Sequence, residues 1–182
     1  MNQDTNSFIQ QFKKGDQKAF DRLVLLHRDW VIGMIYNMVH NKQDAEDISQ
    51  DVFVSVYFAL NKFKGNASFK TWLYRIVINK VNNYFRKLKL KNMFSFELSE
   101  VDDVKASYSD EDKIFKEYDK KLLHKAIVSL SGKQRNVLLL RVYQNHSFKE
   151  ISQYLGITVN NAKVMYHQAK GSLIKKIKKY AK

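Results

Sequence analysis

The sequence predicts an all-α protein: two small helical domains joined by an acidic, flexible linker, the second domain containing a helix-turn-helix. Three observations carry this expectation. Apolar residues keep three- and four-residue spacing through 17–39, 45–60 and 69–84, so each stretch can bury one face of a helix. The periodicity lapses over 91–112, where the run E-L-S-E-V-D-D-V-K-A-S-Y-S-D-E-D is acidic and rich in turn formers. Beyond it, Ser147-Phe148-Lys149-Glu150 has the spacing of a capping box, and Gly156 follows just before another helical stripe. The expected boundaries are a first domain over 1–90, the linker over 91–112 and a second domain over 113–182.

The elements follow in order. Ser7 to Lys14 reads as a short helix ended by Gly15. A long helix over 17–39 carries Phe20, Leu23, Val24, Val31, Met34, Ile35 and Met38 along one side. His40-Asn41-Lys42 breaks it, and Asp44 is expected to cap a third helix over 45–60 with the stripe Ala45, Ile48, Val52, Val56 and Leu60. Gly65 and Asn66 mark a loop, and Ser68 caps a fourth helix whose inward positions are Phe69, Leu73, Ile76, Val77, Val81 and Tyr84. Met93, Phe94 and Phe96 at the head of the linker suit either folding back on the first domain or anchoring a partner. In the second domain, Leu122, Leu123, Ala126, Ile127 and Leu130 form one stripe. Ser131 caps the next helix, which carries Val137, Leu138 and Val142, and Asn145-His146 turns the chain. Ile151, Leu155 and Ile157 point inward, Gly156 adopts a left-handed helix end, and Thr158 caps the last helix. That helix buries Val159, Ala162, Tyr166, Ala169, Leu173 and Ile177.

Composition narrows the function. The chain has 182 residues, 45% of them hydrophobic, enough for real cores. It has no cysteine, which excludes disulfides and thiolate metal sites and fits a reducing cytoplasm. No apolar run reaches membrane-spanning length, and the N-terminus lacks a basic region followed by an apolar stretch, so neither membrane insertion nor a secretion signal is expected. The net charge of +14 is unevenly spread: net +6 over 1–90, −4 over 91–118 and +12 over 119–182. Two basic blocks around an acidic bridge point to a polyanion, nucleic acid ahead of an anionic membrane surface. The five histidines, at 27, 40, 124, 146 and 167, show no ligand spacing. The carboxylates at 44, 46, 47 and 51 cluster, but 44 is assigned to a cap and nothing completes a metal set. No catalytic residue, metal or cofactor is expected, and the chain does not read as an enzyme.

Two stretches carry the nucleic-acid chemistry. Between Lys62 and Lys89, rings at Phe63, Phe69, Trp72, Tyr74, Tyr84 and Phe85 alternate with lysines and arginines, with no carboxylate. Flat rings beside fixed positive charge suit unstacked bases and a phosphate backbone. The outer face of the helix holds Arg75, Asn79, Asn82, Asn83 and Arg86, whose amides can pair with base edges. An aromatic core under a solvated basic face gives the same pattern. The second stretch is sharper. Two helices joined around Gly156 follow the grammar of a DNA-reading helix-turn-helix, with Asn160, Asn161, Lys163, Val164, His167, Gln168 and Lys170 outward. That set offers amides for adenine, cations for phosphate or guanine and a Val for a thymine methyl. The I-K-K-I-K-K-Y-A-K tail is expected to extend the helix and add phosphate contacts, a membrane-surface role being the less favoured alternative.

In this order and spacing the chain resembles the bacterial RNA polymerase sigma factors of the small, two-domain extracytoplasmic-function class. The segment D-A-E-D-I-S-Q-D-V-F at 44–53 is similar to the family's clamp-binding segment. F-K-G-N-A-S-F-K-T-W-L-Y-R-I at 63–76, continued by N-K-V-N-N-Y-F-R-K at 79–87, resembles its promoter −10 element binding loop and helix. L-S-G-K-Q-R-N-V-L-L-L-R-V-Y and F-K-E-I-S-Q-Y-L-G-I-T-V, within 130–159, resemble the −35-binding domain. The resemblance implies core-polymerase contacts at Asp44, Glu46, Asp47, Gln50, Asp51 and Phe53. It implies −10 contacts at Lys62, Phe63, Lys64, Gly65, Asn66, Ser68, Phe69, Trp72, Arg75, Asn79, Asn82, Asn83 and Arg86, with Trp72 either a packing floor or a stacking ring. For the −35 element it implies Ser147, Thr158, Asn160, Asn161, Lys163, Val164, His167, Gln168 and Lys170. The implied partners are core RNA polymerase, duplex −35 and single-stranded −10 promoter DNA, and an anti-sigma factor, the chain being a monomer when free or held by the latter. The linker would thread through polymerase toward the RNA exit path. The chain departs from the family pattern in two places. Ser131-Gly132 stands where a proline is common, and Asn160-Asn161-Ala162-Lys163-Val164 replaces a Gly-Thr-Val-Lys-Ser-like run, so the −35 preference does not carry over. The alternative reading is a helix-turn-helix regulator acting without polymerase, dimeric on a palindrome. It leaves the aromatic-basic loop without a task.

Overall fold

The computed structural model describes residues 2–96 and 122–180, and every regular element within them is helical. Four helices precede the undescribed stretch: α1 (Asn2–Lys13), α2 (Gln17–Val39), α3 (Lys42–Leu60) and α4 (Phe69–Phe96). Four follow it: α5, helical over 122–128, α6 (Gly132–Val142), α7 (Phe148–Leu155) and α8 (Val159–Tyr180).

Local chemistry sets the boundaries. Gly15, at φ +101°, ends α1 in a conformation that costs glycine little. His40 closes α2 in the left-handed region, at φ 54°, its N–H donating to the Tyr36 carbonyl. The cap of α3 is Asn41, not Asp44: the Asn41 side chain accepts from the Asp44 N–H at 3.0 Å, and the helix starts at Lys42. Asp44 lies inside the first turn, where its carboxylate accepts from Tyr84 Oη at 2.9 Å. Helix α1 begins earlier than the sequence suggests, and α4 runs through 91–96 into the stretch expected to be linker. The expected acidic linker otherwise lies outside the described residues. The remaining caps fall where expected. Ser131 accepts from Gln134 N–H at 3.4 Å and Ser147 with Glu150 forms a full capping box. Gly156 at φ 65° ends α7, and Thr158 accepts from Asn161 N–H at 3.1 Å.

Helices α1, α2, α3 and α4 bury one shared core, in which Leu23, Ile35, Val52, Val56, Leu73 and Val77 lose essentially all exposure. Side chains of that kind contribute about 1.5–3 kcal/mol each when fully buried. Helices α6, α7 and α8 bury Val137, Leu139, Leu140, Ile151, Ala162 and Ala169. Val159, expected inward, is 39% exposed. The two apolar regions are continuous because α7 lies against α4. At that seam Tyr74 is 1% exposed and stacks on Tyr154, centroids 4.0 Å apart and rings 12° from parallel. Such a pair contributes about 0.5–1.5 kcal/mol beyond burial. Tyr74 Oη and His146 Nε2 are hydrogen bonded at 2.6 Å, and Gln144 Nε2 donates to the Met34 carbonyl at 3.3 Å.

Candidate nucleic-acid interface

The loop between α3 and α4 is organised by its backbone and its rings. Lys62 and Phe63 N–H donate to the carbonyls of Ala59 and Leu60, which continues the turn out of α3. Gly65 then takes φ +75°, a conformation strained for any side chain. Ser68 Oγ caps α4, accepting from Thr71 N–H at 3.1 Å. Phe63 lies 5.1 Å from Trp72 and 5.9 Å from Phe69, while Phe69 and Trp72 are 5.6 Å apart. Trp72 is half-buried and packs against both Phe63 and Phe69. Phe69 is 5% exposed, so this expected DNA contact is a core residue: the turn that starts α4 aims its first side chain inward. Lys62, Lys64 and Asn66 are exposed.

Under the loop lies a cavity of about 610 Å³, open to solvent and walled by loop, α1 and α2. Phe63, Gly65 and Ser68 contribute from the loop; Asn66 is absent from the wall. Trp30 of α2 lines it, with Lys70 Nζ 5.0 Å from its ring centroid. His27, also on the wall, shares a 3.1 Å hydrogen bond with Thr5. Burial, with Lys70 nearby, pushes the His27 pKa below its ordinary 6.5, which favours the neutral imidazole.

The polar face of α4 is only partly open. Arg75, Asn79, Asn83 and Arg86 are exposed and Asn82 is half-buried. Arg75 Nη2 donates to the Gln153 carbonyl of α7 at 3.0 Å. The Asn82 Oδ1 is buried without a hydrogen-bond donor, beside Gly132 of α6. Arg75, Asn79 and Asn82 share a second cavity, of about 380 Å³, with Asn136, Tyr154 and Ile157. The second helical group therefore borders the face that was expected to meet DNA and covers Asn82 within it.

Helix α8 presents the opposite situation. Asn160, Asn161, Lys163, Val164, His167, Gln168 and Lys170 are all exposed, while Ala162 and Ala169 are fully buried against the other helices. Lys170 leans over the Tyr166 ring at 5.8 Å, and Tyr166 packs on Phe148 at 5.6 Å. The Ser147 and Thr158 hydroxyls are occupied as caps.

On α3, Asp47, Gln50 and Asp51 are exposed and Glu46 is half-buried. Phe53, expected on this face, is 8% exposed and belongs to the core. Two apolar side chains instead extend the row: Val54 and Phe58, 55% and 75% exposed. With Asp47 and Asp51 they follow one stripe along the helix, a spacing visible in the sequence but easily missed beside the buried stripe. Among the described residues no group of three or more His, Asp or Glu is placed to hold a metal ion, and no helix is long and apolar enough to cross a membrane.

These surfaces meet the comparisons with known proteins. Residues 23–90 match the family described as Sigma-70 region 2, and residues 120–173 match Sigma-70, region 4. The chain is 31% identical over 178 residues to the ECF RNA polymerase sigma factor SigW of Bacillus subtilis, covering 93% of this chain and 95% of that one. It is 28% identical to the RNA polymerase sigma-H factor of Pseudomonas aeruginosa, with 92% and 90% covered, and 27% identical to the ECF RNA polymerase sigma-E factor of Escherichia coli, with 93% and 92% covered. The fold is shared with CnrH, solved in complex with the cytosolic domain of CnrY: TM-score 0.59, 22% identity, 94% of this chain and 96% of that one. It is shared too with RpoE of Bartonella quintana, solved with the anti-sigma factor NepR: TM-score 0.54, 21% identity, 88% and 98%. Matches to both sigma-70 regions, together spanning most of the chain, define it as a transcription initiation factor of the sigma-70 type. Within that type the chain belongs to the ECF class of RNA polymerase sigma factors. It acts in transcription initiation with core RNA polymerase and promoter DNA.

Proposed function

We propose that three surfaces of this sigma factor divide the work of initiation. The outer face of α3, with Asp47, Gln50 and Asp51 continued by Val54 and Phe58, binds the polymerase clamp. The loop over 62–68 and its cavity take up an unpaired base of the −10 element, with Lys62 and Lys64 on neighbouring phosphates. The start of α8, Asn160 to His167, enters the major groove of the −35 element. Residues 1–90 and 113–182 are then the two promoter-reading domains. The protein works in the cytoplasm and supplies no catalytic group of its own, the bond-forming chemistry being that of polymerase.

The observation that carries this reading is the loop cavity, ringed by Phe63 and Trp30 and flanked by Lys64 and Lys70. Unstacking a base costs a few kcal/mol. One stacked or pocketed base returns about 1–3 kcal/mol. Capture of one base, with phosphate contacts, is therefore enough to tip strand opening without ATP. Arg75 and Asn79 are already exposed for the next nucleotides, whereas Asn82, its Oδ1 buried beside Gly132, becomes free only after the second helical group leaves α4, so the arrangement is a closed one that opens with polymerase. An anti-sigma factor of the sort bound to the Bartonella protein is a fitting inhibitor, since a partner bridging α4 and α7 would hold the closed form.

The test is reconstitution. The chain is mixed with bacterial core polymerase, and co-purification is followed by run-off transcription from a promoter library. Specific transcripts sharing two motifs support the reading. A dimer that binds a palindrome and yields no transcripts would instead establish the polymerase-independent regulator.

A further inference from the structure

We propose that α1 is part of the promoter-reading machinery: Asn6 and Gln10 are specificity-determining residues that read the edge of the base captured under the loop. The inference rests on the assignment of that cavity to an unpaired −10 base. It adds a second wall that the loop's own sequence does not contain.

The cavity is closed on its far side by α1. Asn6 and Gln10 are one helical turn apart, share one face of α1 and both line the cavity. Both are exposed, so their amides are available to a ligand. Gln11, by contrast, is engaged, donating to Ser7 Oγ and accepting from Arg22 Nη2. Ile9 between them is 2% exposed and anchors α1 in the core, which fixes the amides relative to the rings. A flipped base needs flat apolar surfaces for its faces and a donor beside an acceptor for its edge. Phe63 and Trp30 supply rings, and each α1 amide supplies a donor and an acceptor. Neutral His27, bonded to Thr5, adds another donor or acceptor at the back.

Wall and loop are also mechanically joined. Lys13 Nζ donates to the Phe63 carbonyl at 2.5 Å and lies 5.9 Å from the Phe63 ring centroid. Lys13 is thus a positioning residue: although it also lines the cavity, its ammonium is held on the Phe63 carbonyl and fixes the loop rim against α1. A cavity of about 610 Å³ accommodates a nucleobase together with its sugar.

The experiment uses the full chain with core polymerase and run-off transcription from a library randomised across the −10 element. Asn6→Ala and Gln10→Ala, singly and together, replace exposed helical residues by the best helix former, so folding is retained. The expected result is loss of base preference at one −10 position, by about 5- to 100-fold for a lost paired contact. Core affinity, −35 preference and the other −10 positions stay unchanged. Lys13→Ala should lower transcription from all −10 sequences alike without moving the preference, with recovery in Lys13→Arg. The loop variant Gly65-Asn66→Ala-Ala is run in parallel. If it impairs transcription while the α1 variants keep the wild-type preference, the cavity reading stands and the role of α1 is refuted. If the loop variant is also indistinguishable from wild type, the cavity assignment itself fails and takes this inference with it.

Discussion

Asn161 stands in the first turn of α8, its backbone N–H held by Thr158 and its side chain in solvent. An amide at this point of a recognition helix reaches base edges. Asn161→Ala should change preference at one or two −35 positions by about 1–3 kcal/mol each. Lys175→Ala should weaken all sequences alike, through phosphate contacts. A promoter-library readout separates the two outcomes, and an unchanged −35 motif for Asn161→Ala would remove it from the groove. On α3, Asp47→Lys with Asp51→Lys should reduce core affinity by about 10-fold or more while leaving the circular dichroism intact, because both side chains are exposed. The same helix shows why residue roles were only partly legible. Phe53 and Phe58 are equally apolar, yet one is 8% and the other 75% exposed. Five residues rotate a helix by about 140°. The distinction therefore rests on the exact phase of the packed stripe, which a family resemblance carried over residue by residue does not guarantee.

Helix α7 gives the clearest account at the scale of an element. Its start was legible because Ser147 and Glu150 satisfy each other's backbone donors, and its end because Gly156 tolerates φ 65°. Ser147→Ala should cost about 1 kcal/mol, and Gly156→Ala about 1–2 kcal/mol from the left-handed backbone. Urea denaturation monitored at 222 nm in parallel with wild type checks both, and an unshifted midpoint for Gly156→Ala would contradict the strain argument. The start of α3 and the end of α4 were less legible. Asn41 and Asp44 are both good caps, and only the geometry assigns the role to Asn41. The apolar period fades after Phe85, yet lysines and leucines sustain a helix without it, so α4 continues to Phe96.

Across the whole molecule, the sequence announced two helical groups but not how they meet. The contact rests on Tyr74, Tyr154 and His146, of which Tyr74 belongs to the aromatic-basic stretch whose rings read equally well as core or as base-stacking surface, while His146 read only as part of a turn. Its consequence is that Arg75, Asn79 and Asn82 line a cavity shared with α7, the first two exposed and Asn82 half-buried. Fluorescent labels at Asn79→Cys on α4 and Gln153→Cys on α7, placed in a chain with no other cysteine, should lie close in the free protein, where Arg75 one turn before Asn79 bonds the Gln153 carbonyl, and separate when core polymerase binds. Unchanged energy transfer would contradict the opening step. Acid should weaken the fold. His27, His124 and His146 all have pKa values pushed below the ordinary 6.5, chiefly by burial, with Lys70 lowering His27 and Glu150 partly opposing the shift at His146. The unfolded chain then binds more protons than the folded one just below pH 6.5, so stability is complete above that pH and falls as pH drops through the window toward the lowered values. Urea midpoints at pH 7.5, 6.5 and 5.5 read this directly, and a flat series would refute it. The central claim is that the loop over 62–68 captures an unpaired −10 base. Permanganate footprinting of open complexes made with Gly65-Asn66→Ala-Ala tests it most directly, because an alanine at φ +75° must reshape the loop. The account predicts normal core and −35 binding with reduced thymine reactivity at the −10 region on duplex templates, and only partial rescue on a pre-melted bubble. Wild-type reactivity in the double variant would show that the base is captured elsewhere.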